Sequence, residues 1–403
     1  MKLLLPKNLR GSFVLCPAAP QDWRAIFKSD DWRRLFMFVG VLVVLLLAGE
    51  WLGRNFLFEP PAKWLGDYLL RQRDRVEARV TRIVRIDETD QKQILGGQTP
   101  VNGIALVSAV CALIKSSPAV VVVDIDTASE QSFPEGFQMP KMGASVIWAV
   151  DADWEPGKRG LNLKSGRVIG GRLPEVPQYG IARMPLGFDG VVRGWERLFV
   201  VNGQGELSLP AAAVSQFCKS TANCHESPEN SFGREYLFAK LNLSDFIDHV
   251  GATVQDTCPA GGTSGDPRLA GKIVVLGAFH SHADKHDTPW GTKYGAELVA
   301  SAIEEDLNPD GLTHLPTAVK WISKALIALG IATLHHYFRP LWATAFTVLL
   351  LPVAVFLSGL AIFYFGDYDL AVVPLVVGIL LEQLVTSAEK AEHWTRHAEV
   401  HLP

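Results

Sequence analysis

Cysteine is scarce: the 403-residue chain has 5. No two are spaced Cys-x-x-Cys, which removes zinc ribbons and thioredoxin-like redox motifs. An excess of charge of either sign is also missing, since 38 Lys and Arg face 42 Asp and Glu for a formal net charge of -4. That balance excludes a protein built to coat nucleic acid or an anionic surface, and no nucleic-acid partner is expected. Charged residues make up only 20% of the chain, below the roughly 25% of ordinary soluble domains. A nucleophile elbow, a P-loop and a Gly-x-Gly-x-x-Gly between strand and helix are all lacking; the Gly170-Gly171 and Gly261-Gly262 pairs are isolated. No cofactor is implied.

What the chain has instead is apolar length. Mean hydropathy is +0.16, and the apolar residues concentrate toward the two ends. Residues 35–52, LFMFVGVLVVLLLAGEWL, carry one charge, Glu50, at their far end. The block is about eighteen residues, near the lower limit for a membrane-spanning helix. Arg24, Lys28, Arg33 and Arg34 precede it and should hold the N-terminus in the cytoplasm. The long polar lead and the Leu/Val run favour an uncleaved anchor over a signal peptide. Three more blocks follow at residues 319–338, 341–364 and 370–385. Arg339-Pro340 joins the first two, and Gly366, Asp367, Tyr368 and Asp369 join the last two. A basic connector inside and an acidic one outside give four crossings with both termini cytoplasmic. Residues 56–318 then lie outside, 1–34 form a cytoplasmic segment and 386–403 a short cytoplasmic tail.

Cys16 is cytoplasmic in this layout, and Cys111 falls in an apolar helix pattern where a buried thiol is ordinary. Cys218, Cys224 and Cys258 lie in polar stretches of the exported part, where one bridge among the three is permitted. Either Cys218 or Cys224 bridges Cys258, or Cys218 and Cys224 close a short loop.

Within residues 56–318, strand and helix signals alternate. Residues 64–85 put Leu65, Tyr68, Leu69, Arg73 and Val76 on helical spacing. The arginines between Arg71 and Arg82 read as a solvated helix face, with Asp67, Asp74 and Glu77 as neighbours at three and four residues. Residues 81–86 form a β-branched run, 103–114 an amphipathic helix, and 119–125 a strand buried on both faces. Residues 144–150, 195–201 and 273–276 read as strands. Residues 207–217 read as a helix with Ser208 as N-cap, and 297–307 as a helix returning toward the membrane. The alternation predicts an α/β extracytoplasmic domain with a largely parallel sheet covered on both faces, carried on four transmembrane helices.

The stretch LAGKIVVLGAFHSHADKHDTPWGTKYG, residues 269–295, invites a metal reading, because His280, His282, Asp284, His286 and Asp287 crowd together. His-x-His-x-Asp after an apolar strand is how metallo-β-lactamase-type hydrolases present zinc ligands. Two features oppose it: Lys285 stands where that family has a histidine, and later histidine ligands are lacking. Adventitious or sensory divalent-metal binding by His280, His282 and His286 remains open beside plain solvated histidines.

Four stretches in order resemble another family, the type 2 CHASE domain (cyclases/histidine kinases associated sensory extracellular). GDYLLRQRDRVEARVTRIVRIDE resembles its entry helix and first strand, and VVVVDID, with Asp124 and Asp126, its second strand. FDGVVRGWERLFV resembles its Asp-Gly-Val-Val-Arg segment, here Asp189 to Arg193. LAGKIVVLGAF with Asp284, Thr288, Pro289 and Gly295 resembles its last strand and loop. The resemblance covers residues 35–390. One departure is the family's Trp-Pro…Arg segment, where Gln98, Thr99, Pro100 and Val101 stand here. Another is the tail EKAEHWTRHAEVHLP, which leaves no room for an output kinase or cyclase, so no enzyme is expected in this chain.

Asp87, Asp124 and Asp126 each follow an apolar strand, which puts them near the carboxyl edge of a parallel sheet, where such folds bind ligands. With Asp189, Arg193 and Asp284 they form the candidate ligand-binding set. The competing role is structural, each acid capping a helix or bracing a turn and Arg193 pairing with a strand-end acid. The function expected is that of a sensory, signal-transducing module and bacterial receptor in the cytoplasmic membrane, relaying to a separate protein. A structural subunit of an envelope or surface assembly is the alternative, and a metal-dependent hydrolase the third. The expected partners are the lipid bilayer, an unidentified effector or assembly subunit, and a second copy of the chain in a homo-oligomer.

Overall fold

The computed structural model describes residues 59–97, 101–125, 145–154, 161–163, 178–187, 189–201, 203–221, 224, 232–247, 266–280 and 284–308, with short stretches between 316 and 364. The chain divides into two compact units, residues 58–323 with 352–372, and residues 1–57 with 324–351 and 373–403. All the elements below belong to the first unit.

In chain order they are α1 (Glu59–Arg71), β1 (Val76–Glu77), β2 (Thr81–Ile86), α2 (Glu88–Gln93), α3 (Gly103–Ile114) and β3 (Val120–Asp124). Then come β4 (Ser145–Val150), β5 (Ala152–Trp154), β6 (Leu161–Leu163), β7 (Tyr179–Ile181), β8 (Leu198–Val201), β9 (Gln204–Leu207) and α4 (Leu209–Ser220). The last are β10 (Tyr236–Leu237), β11 (Lys240–Asn242), α5 (Ser244–Ile247), β12 (Ile273–Ala278), β13 (Lys285–Thr288), β14 (Gly291–Tyr294) and α6 (Gly295–Asp306).

The main sheet has six strands in the order β11-β2-β12-β3-β4-β7, and every pairing in it is parallel. Unbroken apolar runs such as Val120–Val123 are what a sheet buried on both faces requires. Side chains still alternate between the faces. Val121 and Val123 join Leu106, Val110 and Leu113 of α3 in one core. Val120 and Val122 join Ala213 of α4 and Val299 and Ile303 of α6 in the other. Fully burying a valine contributes about 1.5–3 kcal/mol, so these runs hold the three layers together.

The helices start where the sequence supplies caps. Asn102 Oδ1 accepts the Ile104 and Ala105 N–H groups at 3.1 and 3.3 Å. Ser208 Oγ accepts the Ala211 N–H at 3.4 Å, with Pro210 in the first turn of α4. Each satisfies donors that a helix start leaves open. Helix α6 lies so close to β12 that a Cβ at Gly277 would run into the Ala296 side chain. Its C-terminal end is fixed by buried acids. Glu304 accepts the N–H groups of Arg79, Val80 and Thr81 at 3.1, 2.8 and 2.5 Å, and Asp306 pairs with Arg197 at 2.5 Å.

Three expectations need correction. Helix α1 ends at Arg71, so Arg73 and Val76 lie beyond it. The arginine row is therefore no solvated helix face. Arg71 Nε donates to the Pro289 carbonyl, Arg73 to the Gly233 carbonyl at 3.0 Å, and Arg75 pairs with Glu235 at 2.8 Å. Arg82 instead donates to the nearby Ala78 and Thr81 carbonyls at 3.0 and 2.8 Å. Cys111 is disulfide-bonded rather than a free thiol, its partner lying outside the described residues. Cys218 and Cys224 form a bridge, with Cα atoms 5.1 Å apart; Cys258 lies outside the described residues. A second sheet, β5-β6-β8-β9, was legible only as the strand at 195–201, which the structure shortens to β8.

Among the described residues no helix is long and apolar enough to cross a membrane. The four apolar blocks fall largely outside those residues.

A buried tie between α1 and the rest is Arg193, which is 9% exposed. Its guanidinium holds Asp67 of α1 with bonds of 2.9 and 2.6 Å and Asp189 with bonds of 2.8 and 2.6 Å. Replacing Arg193 by alanine strands the Asp67 carboxylate and should cost about 3–5 kcal/mol. Urea unfolding followed by tryptophan fluorescence will show this as a lowered midpoint; an unchanged midpoint would remove the triad from the fold's supports.

Candidate ligand site

Parallel strands of one sheet end at one edge, and water reaches the sheet there because helices cover both faces. Outside the carboxyl ends of β3 and β12 lies a cavity of about 710 Å³, within the roughly 300–1,000 Å³ of small-molecule sites. Its polar floor is Asp124, the last residue of β3, with Asp284 and His286 from the loop and hairpin after β12. Gly295 and Val299 of α6 form one side. The segment after β7, residues 182–186, and β8 form the other. Leu186, Leu198 and Val200 show apolar surface there, at 62%, 61% and 57% exposure. Arg183 and Glu196 complete the charged lining.

The two aspartates differ in what surrounds them. Asp284 accepts the Gly295 N–H, the first of α6, through Oδ2 at 3.2 Å, where the helix dipole favours a negative charge. A Cβ at Gly295 would run into this carboxylate, so only glycine lets Asp284 reach the helix end. His286 Nε2 stands 3.9 Å from Asp284 Oδ1. Burial still outweighs the imidazole and the Gly295 N–H, and the Asp284 carboxyl is held above its ordinary range. The Asp124 carboxyl has no hydrogen bond or ion pair among the described residues. Loss of water, and then the nearby Asp284 charge, push its carboxyl up to about 7. An unpaired carboxyl withdrawn from water is costly and answers by holding its proton.

The hairpin β13–β14 carries the floor at one end and reaches α1 at the other. Thr288 Oγ1 donates to the Gly291 carbonyl at 2.6 Å and accepts the Trp290 N–H at 3.2 Å, which fixes the turn at Pro289-Trp290. Trp290 Nε1 donates to the Leu70 carbonyl at 3.3 Å, beside the Arg71–Pro289 bond. On its flank, the Val192 N–H donates to the Asp287 carbonyl at 2.8 Å. This ties the hairpin to the segment holding Arg193.

The candidate residues scatter against this geometry. Asp124 and Asp284 meet at the cavity. Asp87 caps α2, accepting the Asp90 N–H at 2.8 Å. Asp189 pairs with Arg193, and Arg193 also pairs with Asp67, so Arg193 meets α1 rather than Asp87 or Asp124. The bonds with Arg193 hold the Asp189 carboxyl below its ordinary range. Burial lowers the Arg193 value, but its bonds to Asp189 and Asp67 outweigh that, so it stays charged. Asp126 and His282 lie outside the described residues. His280 faces the Ile86 carbonyl at 3.4 Å, and among the described residues no three His, Cys, Asp or Glu side chains gather as metal ligands would. The sequence reading missed Asp67, whose acid looked like one of several in a charged helix. It also missed the apolar lining of Leu186, Leu198 and Val200, which carries no local signal.

A parallel sheet covered by helices on both faces, with a cavity at its carboxyl edge, defines the general class: a three-layer α/β domain. The chain belongs to the CHASE2 domain family, whose model matches residues 38–335; these are extracellular sensory domains. No curated protein and no solved structure matches the chain.

The Asp124 carboxyl sets a pH dependence with a definite sign. Its folded value lies above the ordinary 3.8, so the stability it lends is complete below about pH 4 and is lost as pH rises through 7. Thermal unfolding should show the chain less stable at pH 8 than at pH 5, and Asp124→Asn should flatten that slope. A variant with an unaltered slope would place the titrating group elsewhere.

Proposed function

We propose that this protein is a membrane-anchored sensory module whose extracytoplasmic domain takes a small ligand in the cavity at Asp124 and Asp284. Its membrane crossings are residues 35–52, 319–338, 341–364 and 370–385, with both termini cytoplasmic. The observation that carries the reading is the β13–β14 hairpin. It holds Asp284 and His286 at the cavity and, through Pro289 and Trp290, grips α1, which follows the first crossing in the chain. Helix α6 makes a second route, since Gly295 and Val299 line the cavity and its far end leads toward the second crossing.

Other observations support the layout. A disulfide between Cys218 and Cys224, and one at Cys111, suit an oxidising compartment. The Arg73 guanidinium lies 4.5 Å over the Phe363 ring, and Phe363 stands at the end of the third apolar block expected to face outside. A ligand changes the membrane helices only to the extent that it binds one arrangement of them better than another. The response then passes to a separate cytoplasmic or membrane protein that meets the tail at residues 386–403.

Trp290→Ala tests the hairpin route in the full chain in lipid nanodiscs. It should raise amide hydrogen exchange in residues 67–73 and in residues 284–295 together, about tenfold or more, since each 1.4 kcal/mol of lost protection is tenfold. Exchange that rises in the hairpin alone would break the link between cavity and α1.

A further inference from the structure

We infer that the cavity at the carboxyl edge is built for an amphipathic organic cation, an ammonium group carried on an apolar body. This rests on the cavity being the ligand site. Three features of the lining converge on that class. The floor holds two carboxyls, Asp124 and Asp284. The first has no hydrogen bond or ion pair among the described residues, and the second spends one oxygen on the Gly295 N–H at 3.2 Å. An ammonium group has donors and charge for both, and it would relieve the cost of leaving Asp124 unpaired.

Part of the lining is apolar. Leu186, Leu198 and Val200 are more than half exposed, and they border the same cavity. Apolar surface of this kind beside an acidic floor suits a ligand with a charged head and an apolar body. An anion finds the reverse. Arg183 is the only guanidinium among the described lining residues; it is exposed and has an interaction of its own. Glu196, Asp124 and Asp284 stand against a negative charge, and His286 already neighbours Asp284 at 3.9 Å. A metal ion is disfavoured by the shortage of ligands: among the described residues no three donor side chains gather.

Binding a cation favours the ionised form of Asp124, so it drives that proton off. Affinity should therefore rise with pH across the range around 7 where the group titrates. The other ionisable lining groups, Asp284, Glu196 and His286, act in the same direction, since protonating any of them makes the lining less negative. The share of the rise that belongs to Asp124 is the part that Asp124→Asn removes.

The test uses the full chain in nanodiscs and two probes of similar shape and opposite charge, 2-phenylethylammonium and 3-phenylpropanoate, titrated calorimetrically. The ammonium ion should bind and the carboxylate should not. Asp124→Asn should weaken the ammonium ion about tenfold or more, the loss of one charge-assisted bond, and should make the rise in affinity between pH 6 and pH 8 smaller. The exposed position of Leu198 makes Leu198→Glu a variant that spoils the wall without disturbing the core. If the carboxylate binds better and Leu198→Glu weakens it, the cavity remains a ligand site but the cationic class is wrong. If the ammonium ion fails to bind, or binds equally well to Asp124→Asn, the cationic class is overturned as well.

Discussion

Covering both faces of a parallel sheet is the constraint on which the rest of this domain depends. With α3 packed on one side and α4 and α6 on the other, the strands have no face left for water. Polar side chains that follow the strands must find their partners at the carboxyl edge. There Asp87 turns back to cap α2, and Asp284 reaches the start of α6. Asp124 finds no partner among the described residues. The same close packing that excludes water from the layers therefore leaves one carboxyl unpaired over a cavity. Folding tolerates that arrangement because the carboxyl can hold its proton, and a ligand can exploit it.

Helix α6 and the β13–β14 hairpin make the cavity more than a surface hollow. The helix is fixed at its start by the Asp284 bond and at its end by Glu304 and Asp306. Its approach to β12 has no slack, since Gly277 leaves space only for the Ala296 methyl. The hairpin is likewise bound on its flank to the Val191–Arg193 segment and at its tip to α1. Arg193 closes the circuit by gripping Asp67 of α1. A change at the cavity floor thus meets stiff elements, and packed elements move between discrete arrangements rather than deform by degrees. This is the physical content of the sensory reading.

Much of the scaffold was legible in the sequence because its signals are local. The run Thr81–Ile86 and the helix Gly103–Ile114 stand where β-branched content and helical spacing put them, and Ser208 caps α4 as its position suggested. The family resemblance was legible from four ordered stretches, and the family model bears it out. The end of α1 was not legible. Helical spacing continues through Arg73 and Val76, but their tertiary partners, Gly233 and the strand β10, take the chain out of the helix. The arrangement of the histidine-rich loop was not legible for a related reason. Spacing along the chain brings His280 and His286 close in sequence, whereas the fold points one at the Ile86 carbonyl and sets the other beside Asp284. Of the candidate site, Asp124 and Asp284 could be found as acids after strands. The apolar wall could not, because Leu186, Leu198 and Val200 come from segments remote from both.

The cavity's acidic floor is most directly read at one carboxyl, Asp124. The most direct measurement is an infrared pH titration of the full chain, taking the difference against Asp124→Asn to isolate the protonated carbonyl band of Asp124. The band should disappear with a midpoint of about 7, and the midpoint should fall when 2-phenylethylammonium is present. A midpoint near the ordinary value of 3.8, unmoved by the cation, would mean that Asp124 is solvated or paired, and would contradict the account.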